Sequence, residues 1–169
     1  MKVLLFSMKE TSKTNNTIDL NKIAAYISVS LIIRILLDYL FHQLVTGPSP
    51  ASDVFNSMTE AELILIVVIT APVVETAIFQ LIAQEILIRY LPIATTKYKL
   101  YIAACVSALL FSLTHYYSIL YILMTFLSGL LYSGLYLVVR RGTGGIGLSF
   151  LSACLTHILF NLSEYLIYK

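Results

Sequence analysis

The sequence predicts an all-α, multi-pass transmembrane helical bundle of about five spans. Of its 169 residues, 59% are hydrophobic and only 12% are charged, whereas about 25% of the residues in soluble domains are charged. There is no Asp, Glu, Lys or Arg between Leu100 and Val139, and a second run without them extends from Gly142 to Ser163. Because a membrane span needs about 20 mostly apolar residues, the chain has room for five crossings and for no separate soluble domain.

The charge and cysteine content exclude several classes of function. The net charge of +2 is small and scattered along the chain, so no nucleic-acid-binding surface is predicted. No glycine-rich loop follows a strand pattern, which excludes a phosphate-binding loop of the common kinds. Cys105 and Cys154 lie inside apolar runs without metal-site spacing, so we expect them to be small packing residues.

The chain divides into a polar N-terminal tail, residues 1–21, and a membrane-embedded helical domain, residues 22–169. The first span runs from about Lys22 to Val45, and within it Arg34 and Asp38 are four residues apart and can form an ion pair. A loop rich in Pro, Gly and Ser follows, at about residues 46–59. The second span runs from about Ala61 to Leu91 and contains Pro72, where we expect a kink.

The long charge-free stretch from Leu100 to Val139 is twice the length of one span. It is therefore predicted to form spans three and four, joined by a hairpin near residues 114–118. In span four, small residues recur every four positions at Thr125, Gly129 and Ser133, which predicts close packing against another helix. A Gly-rich turn, residues 142–147, leads to the fifth span, from about Leu148 to the end.

The distribution of basic residues predicts the orientation of the bundle. Nine of the eleven Lys and Arg residues fall on one side of a five-span chain: Lys2, Lys9, Lys13, Lys22, Arg89, Lys97, Lys99, Arg140 and Arg141. By the positive-inside rule, the N-terminus is cytoplasmic and the protein is an integral protein of the cell membrane.

Four polar residues inside the spans carry the predicted chemistry: Glu75, His115, His157 and Asn161. Ionisable groups in lipid are costly and usually functional. Glu75 is also the only mid-span carboxylate without a cationic neighbour at helical spacing, since Asp38 has Arg34 and Glu85 has Arg89.

Two chemical interpretations of these residues remain open. In the first, Glu75 acts as a general base on a water, while the imidazoles and the Asn161 amide transfer protons and stabilise an oxyanion. In the second, Glu75, His115 and His157 hold a divalent metal such as Zn²⁺. Helix-length estimates place His115 roughly 8 Å and Glu75 roughly 20 Å below the outer surface. Counting residues alone therefore does not bring these two side chains to the same depth.

In their order and spacing, these residues resemble the CPBP family of intramembrane endopeptidases, which includes CaaX prenyl endopeptidases of the second type and bacteriocin-processing or immunity proteins. The family's Phe-x-x-x-His pattern is matched by Phe111 and His115, and its His-x-x-x-Asn pattern by His157 and Asn161. Glu75 matches the first residue of the family's Glu-Glu-x-x-x-Arg pattern. The resemblance covers about residues 62–165.

Two positions depart from the family pattern: Thr76 replaces the second glutamate and Gln80 replaces the arginine. These positions are four apart, so the two charges could pair on one helical face. Loss of both leaves no unpaired charge behind, which indicates a lost supporting pair with the catalytic glutamate retained. A catalytically inactive member also remains open.

The resemblance implies an intramembrane protease that cleaves a peptide or prenylated-peptide substrate in or near the lipid. Its catalytic residues would be Glu75, His115, His157 and Asn161, and a divalent metal is left open as a cofactor. Its partners would be membrane lipid and a peptide or lipidated peptide. The alternatives are a non-catalytic bacteriocin-immunity or binding protein of the same fold, and a small ion- or proton-conducting bundle.

Overall fold

A computed structural model describes residues 19–44, 57–92 and 96–168, and these residues form five long helices. They are α1 (Leu20–Leu44), α2 (Glu60–Tyr90), α3 (Thr96–Leu113), α4 (Ile119–Thr143) and α5 (Ile146–Tyr168). Each is long and apolar enough to cross a membrane. The predicted all-α bundle of five spans is confirmed, and the protein is an integral, multi-pass membrane protein.

The first two helices begin at polar caps. The Asp19 carboxylate accepts the backbone N–H of Lys22 at 2.8 Å, so α1 begins two residues before the predicted start. At the start of α2, the Thr59 hydroxyl accepts the N–H of Glu62, and the Glu62 carboxylate accepts the N–H of Thr59 at 2.8 Å, which is a capping box. Residues 1–18 of the predicted tail, Val45 at the end of the predicted first span and residues 46–56 of the predicted loop lie outside the described residues.

Short connections join α3 to α4 and α4 to α5, as the sequence predicts. The hairpin between α3 and α4 covers residues 114–118, and the Ser118 hydroxyl accepts the N–H of Tyr121 at 3.1 Å to start α4. At the end of α4, Gly144 has a φ of 71°, a left-handed conformation that favours glycine. Because this turn is so short, α5 begins at Ile146, two residues before the predicted position.

Helix α4 lies at the centre of the bundle and packs against α3, α5 and α1. A Cβ atom at Gly129 would lie only 2.9 Å from the Cα of Ala108 on α3. The predicted small-residue face of α4 is therefore confirmed as a close helix contact. Cys154 is buried as expected, but Cys105 is exposed on the surface of the bundle, so its predicted packing role is wrong.

Among the described residues, the interior of the bundle is half polar, whereas its outer surface is mostly apolar. The buried set contains as many polar side chains as apolar ones, whereas Leu, Ile, Val and Tyr cover much of the outer surface. Most buried hydroxyls bond within their own helix, as Ser128 does to the carbonyl of Met124 and Thr156 to that of Ser152. These local bonds satisfy the hydroxyls in a lipid environment that offers no water.

Helix α2 is irregular on both sides of Pro72. Two wide, π-helical segments, Leu63–Thr70 and Thr76–Ala83, flank a short α-helical stretch, Ala71–Glu75. π-helical turns are rare and are frequently found at functional sites. Pro72, where the sequence predicts a kink, lies in the short α-helical stretch between the two π-helical segments.

One predicted ion pair is confirmed and another is wrong. The Arg34 Nη1 atom lies 3.7 Å from Asp38 Oδ1, as expected. Glu85 pairs not with Arg89 but with Arg140 on α4, at 3.0 Å, and accepts the Tyr136 hydroxyl at 2.8 Å. The Arg89 guanidinium lies over the ring of Tyr90 instead, because α4 brings a competing cation to Glu85.

Candidate active site

Glu75 lies at the end of the short α-helical stretch of α2, between the two π-helical segments. Its side chain is 27% exposed, and it lies next to two imidazoles, that of His115 in the α3–α4 hairpin and that of His157 on α5. Among the described residues, no Lys or Arg forms an ion pair with Glu75, whereas Glu85 pairs with Arg140. Glu75 is thus a carboxylate held inside the bundle and still reachable by a small molecule.

His115 approaches Glu75 from the α3–α4 hairpin. Its Nε2 lies 3.9 Å from Glu75 Oε1. Its Nδ1 lies 3.0 Å from the carbonyl oxygen of Phe111, which only accepts hydrogen bonds, so Nδ1 carries the proton and Nε2 faces Glu75 with its lone pair. Burial lowers the pKa of His115 below its usual value, so the imidazole is neutral at pH 7.

His157 approaches Glu75 from α5. Its Nε2 lies 3.7 Å from Glu75 Oε2, and its side chain is only 5% exposed. Its Nδ1 lies 3.4 Å from the Thr76 hydroxyl, and its ring stacks on Tyr132 with a centroid distance of 4.5 Å. These contacts fix the imidazole so that Nε2 points at the carboxylate.

The predicted depth mismatch between Glu75 and His115 disappears in the structure. Helix α2 has 31 residues and α3 only 18, which would correspond to about 46 Å and about 27 Å at the rise of a regular α-helix. Since α2 is so much longer, its start extends beyond the α3–α4 hairpin, and the hairpin reaches the depth of Glu75. The estimate failed because it assumed that both helices end at the same surface.

Asn161 does not hydrogen-bond to Glu75 but donates from Nδ2 to the carbonyl oxygen of Val67 on α2, at 2.9 Å. In this π-helical segment each N–H bonds five residues back, as Ala71 does to Ile66. The next N–H in that pattern would belong to residue 72 and bond Val67, but Pro72 has none. The Asn161 amide therefore replaces a hydrogen bond that the proline removes.

The two departures from the family pattern are both fully buried. Thr76 holds His157 as described above, so the residue at this position supports the imidazole with a hydroxyl. Gln80 is 0% exposed, and neither its Nε2 nor its Oε1 has a hydrogen-bond partner among the described residues. Position 80 thus retains polarity without the positive charge of the family pattern.

Glu75, His115 and His157 do not form a closed metal cage. A metal ion requires its ligand atoms to come together, yet the donors of Glu75, His115 and His157 do not all lie within 4.8 Å of one another. Tetrahedral Zn²⁺ would hold its ligands about 3.3 Å apart, given metal–ligand bonds of about 2.0–2.1 Å. The spacing of these donors therefore does not fit coordination of one Zn²⁺ ion by all three side chains.

Sequence reasoning missed two contributors to the surroundings of the site. Tyr132 supports His157 by stacking, and Arg34 of α1 lies beside the Tyr132 hydroxyl. The Arg34 guanidinium also covers the ring of Phe160, at 3.5 Å from its centroid. Arg34 was assigned only to the pair with Asp38, because helical spacing reports neighbours on the same helix and not those on other helices.

Comparison with known proteins identifies the family of the chain. No curated protein and no solved structure matches the chain. The family model for "Type II CAAX prenyl endopeptidase Rce1-like" matches residues 58–163, nearly the range expected from the motifs, and this range includes Glu75, both imidazoles and Asn161. Since the match covers more than half of the chain, the protein belongs to the Rce1-like family of type II CAAX prenyl endopeptidases, a family of membrane proteases.

Proposed function

We propose that the protein is an intramembrane endopeptidase that hydrolyses a peptide bond near the C-terminus of a prenylated peptide. The observation that supports this most is the Glu75 carboxylate flanked by two imidazole nitrogens at 3.9 and 3.7 Å. The family description names a CAAX sequence, a C-terminal motif whose cysteine carries the prenyl group. The lipid surface of the bundle gives such a substrate a path from the membrane.

In the proposed reaction, a water lies between Glu75 and His115. Both distances from Glu75 exceed a direct hydrogen bond, so a shared water is the natural bridge. The Glu75 carboxylate and the His115 Nε2 lone pair each accept a hydrogen bond from this water. Its oxygen lone pair is then left free to attack the scissile carbonyl carbon.

The proton and electron transfers follow from these positions. As the water oxygen bonds to the carbonyl carbon, one water proton passes to Glu75, and the carbonyl electron pair becomes an oxyanion. His157 is placed to stabilise that oxyanion through Nε2–H. When the carbon–nitrogen bond breaks, Glu75 returns its proton to the leaving amine, and the new acid group loses its remaining proton to His115.

The test is cleavage of a prenylated CAAX peptide by the purified protein in detergent, comparing Glu75→Gln with Glu62→Gln. Removal of the general base is expected to lower the rate at least about 100-fold. Glu62→Gln is the matched control, because it lies on the same helix and glutamine also supports a capping box. Wild-type cleavage by Glu75→Gln would exclude the mechanism.

A non-catalytic immunity or binding role is the second proposal, and Thr76 and Gln80 favour it. Both positions are neutral where the family pattern is charged, so the site has lost a buried pair that normally accompanies the glutamate. On this proposal the wild-type protein does not cleave the peptide. The protection that it gives a cell against a bacteriocin is then unchanged by Glu75→Gln. The same pair of variants therefore separates the two roles.

We also propose that the N-terminus is cytoplasmic, from the distribution of Lys and Arg. The α3–α4 hairpin with His115 then belongs to the opposite half of the membrane, together with the ends of α1 and α5. Water would reach Glu75 from that half.

A further inference from the structure

Arg34 reaches the surroundings of His157 from α1, a helix that the family model does not include. The match covers residues 58–163, and α1 ends at Leu44. Arg34 is nevertheless only 8% exposed, and it is the only Lys or Arg in the buried set of the described residues. A charge inside a membrane bundle is costly and usually serves a function. We propose that Arg34 is a positioning residue, which holds His157 in place through the hydroxyl of Tyr132.

The ion pair with Asp38 does not account for the whole guanidinium. Arg34 Nη1 lies 3.7 Å from Asp38 Oδ1, which is longer than a hydrogen bond. Neither Nη1 nor Nε of Arg34 has a hydrogen-bond partner among the described residues. Strong arginine–carboxylate pairs are commonly bidentate, with two short hydrogen bonds. The pair on α1 is therefore loose, and it leaves the guanidinium available to act on other helices.

The guanidinium contacts one aromatic side chain on α5 and one on α4. Its Cζ atom lies 3.5 Å from the centroid of the Phe160 ring, which is a cation–π contact. It also lies beside the Tyr132 hydroxyl, and because a guanidinium only donates hydrogen bonds, this hydroxyl is the acceptor. Arg34 thus joins α1 to the helix that carries His157 and to the helix that carries its stacking partner.

Tyr132 transmits the effect of Arg34 to His157. The two rings stack with a centroid distance of 4.5 Å and an interplanar angle of 24°. Stacking alone fixes the separation of two rings but lets them slide, whereas a hydrogen bond at the hydroxyl also holds the Tyr132 ring within its plane. Thr76 holds the Nδ1 edge of His157. Since His157 stabilises the oxyanion in the proposed reaction, this inference rests on the proposed function.

The test is NMR of the full protein in detergent with isotope-labelled histidine, because the chain has only three histidines. His157→Gln identifies the His157 signals. Asp38→Asn is the reference, since it removes the ion pair and leaves Glu164 as a neighbouring carboxylate of Arg34. Arg34→Met is then made in this background, so that no buried Asp38 charge loses its partner. This double variant should shift the His157 ring signals, whereas Asp38→Asn alone should leave them as in the wild type.

Tyr132→Phe tests the route of the effect. It keeps the stacked ring and removes only the hydroxyl, so it should fold normally and shift the same His157 signals. Adding it to the double variant should shift them no further, because both changes break one contact. In the peptidase assay, the double variant should lower kcat at least about tenfold relative to Asp38→Asn and leave KM unchanged.

The outcomes separate a positioning role from a role in holding α1 to the bundle. Wild-type His157 signals in the double variant or in Tyr132→Phe would overturn the proposal, and so would additive shifts. Equal shifts in Asp38→Asn alone would also overturn it, because α1 would then act through the ion pair. The NMR comparison needs no substrate, so a wild-type protein that cleaves no peptide would refute the proposed function and still allow the link from Arg34 to His157 to be judged.

Discussion

The hydrogen bond from Asn161 to Val67 makes a quantitative prediction, because Pro72 is the reason that the Val67 carbonyl needs a partner. Asn161→Leu removes the donor and leaves the carbonyl unpaired between α2 and α5. An unsatisfied buried group costs about 1–3 kcal/mol, although hydrogen bonds between membrane helices average only about 0.6 kcal/mol. We therefore expect Asn161→Leu to destabilise the protein by about 1 kcal/mol.

Pro72→Ala tests the cause of that loss. Alanine restores a backbone N–H at position 72, which can bond back to Val67 in the π-helical pattern. In the Pro72→Ala background, Asn161→Leu should then cost less, with a coupling energy of about 0.5–1 kcal/mol. Ser163→Ala is a suitable control on α5, because its hydroxyl bonds only within the helix, to Phe160.

The assay is unfolding of all the variants in mixed detergent micelles, read by circular dichroism, together with peptide cleavage. Strictly additive free energies of unfolding would show that Pro72 and Asn161 do not share the Val67 carbonyl, and would refute the reasoning. Cleavage gives a second readout. If Asn161 acts by holding α2 in place, Pro72→Ala should restore part of the activity of Asn161→Leu, whereas a residue that contacts the oxyanion would show no such rescue.

Three further predictions follow from the fold. Gly129→Val should destabilise the bundle by about 1–3 kcal/mol, because its side chain would meet the backbone of Ala108; a melting temperature equal to that of wild type would contradict the packing. Thr76→Glu alone should lower the melting temperature more than Thr76→Glu with Gln80→Arg, since only the double variant gives the buried carboxylate a partner; equal, additive effects would show that the two positions do not interact. In a background without native cysteines, Ser57→Cys should react with a membrane-impermeant reagent only from the outside, and modification only from the cytoplasm would reverse the proposed topology.

The number and order of the helices could be predicted from the sequence because the apolar runs are too long for any other structure. The need for a hairpin followed from the length of the charge-free stretch, and its position at residues 114–118 followed from the polar residues there. The close approach at Gly129 followed from the spacing of small residues. Contacts between helices could not be predicted in the same way. Periodicity shows which residues share a face, but not which helix that face meets, so Glu85 was paired with Arg89 although Arg140 is its partner.

The candidate site was predictable as a set but not as a geometry. Glu75, His115 and His157 stood out because ionisable groups are rare in lipid-facing sequence, and the structure brings these three together. Asn161 was grouped with them by its spacing from His157, yet it bonds to the backbone of α2. Its partner could not be found from the sequence, since a free carbonyl at Val67 depends on hydrogen bonds five residues apart, which no side-chain pattern reveals.

The wide turns of α2 also affect how this helix can tolerate changes in its length. A π-helical segment holds extra backbone that an ordinary α-helix would not need. Removing one residue from Leu63–Thr70 could tighten those turns to α-helical geometry while the helix beyond them keeps its direction. In a regular α-helix, the same deletion would turn every later side chain by about 100°. The segment before Glu75 can thus absorb a deletion that, elsewhere in the bundle, would aim the carboxylate away from both imidazoles.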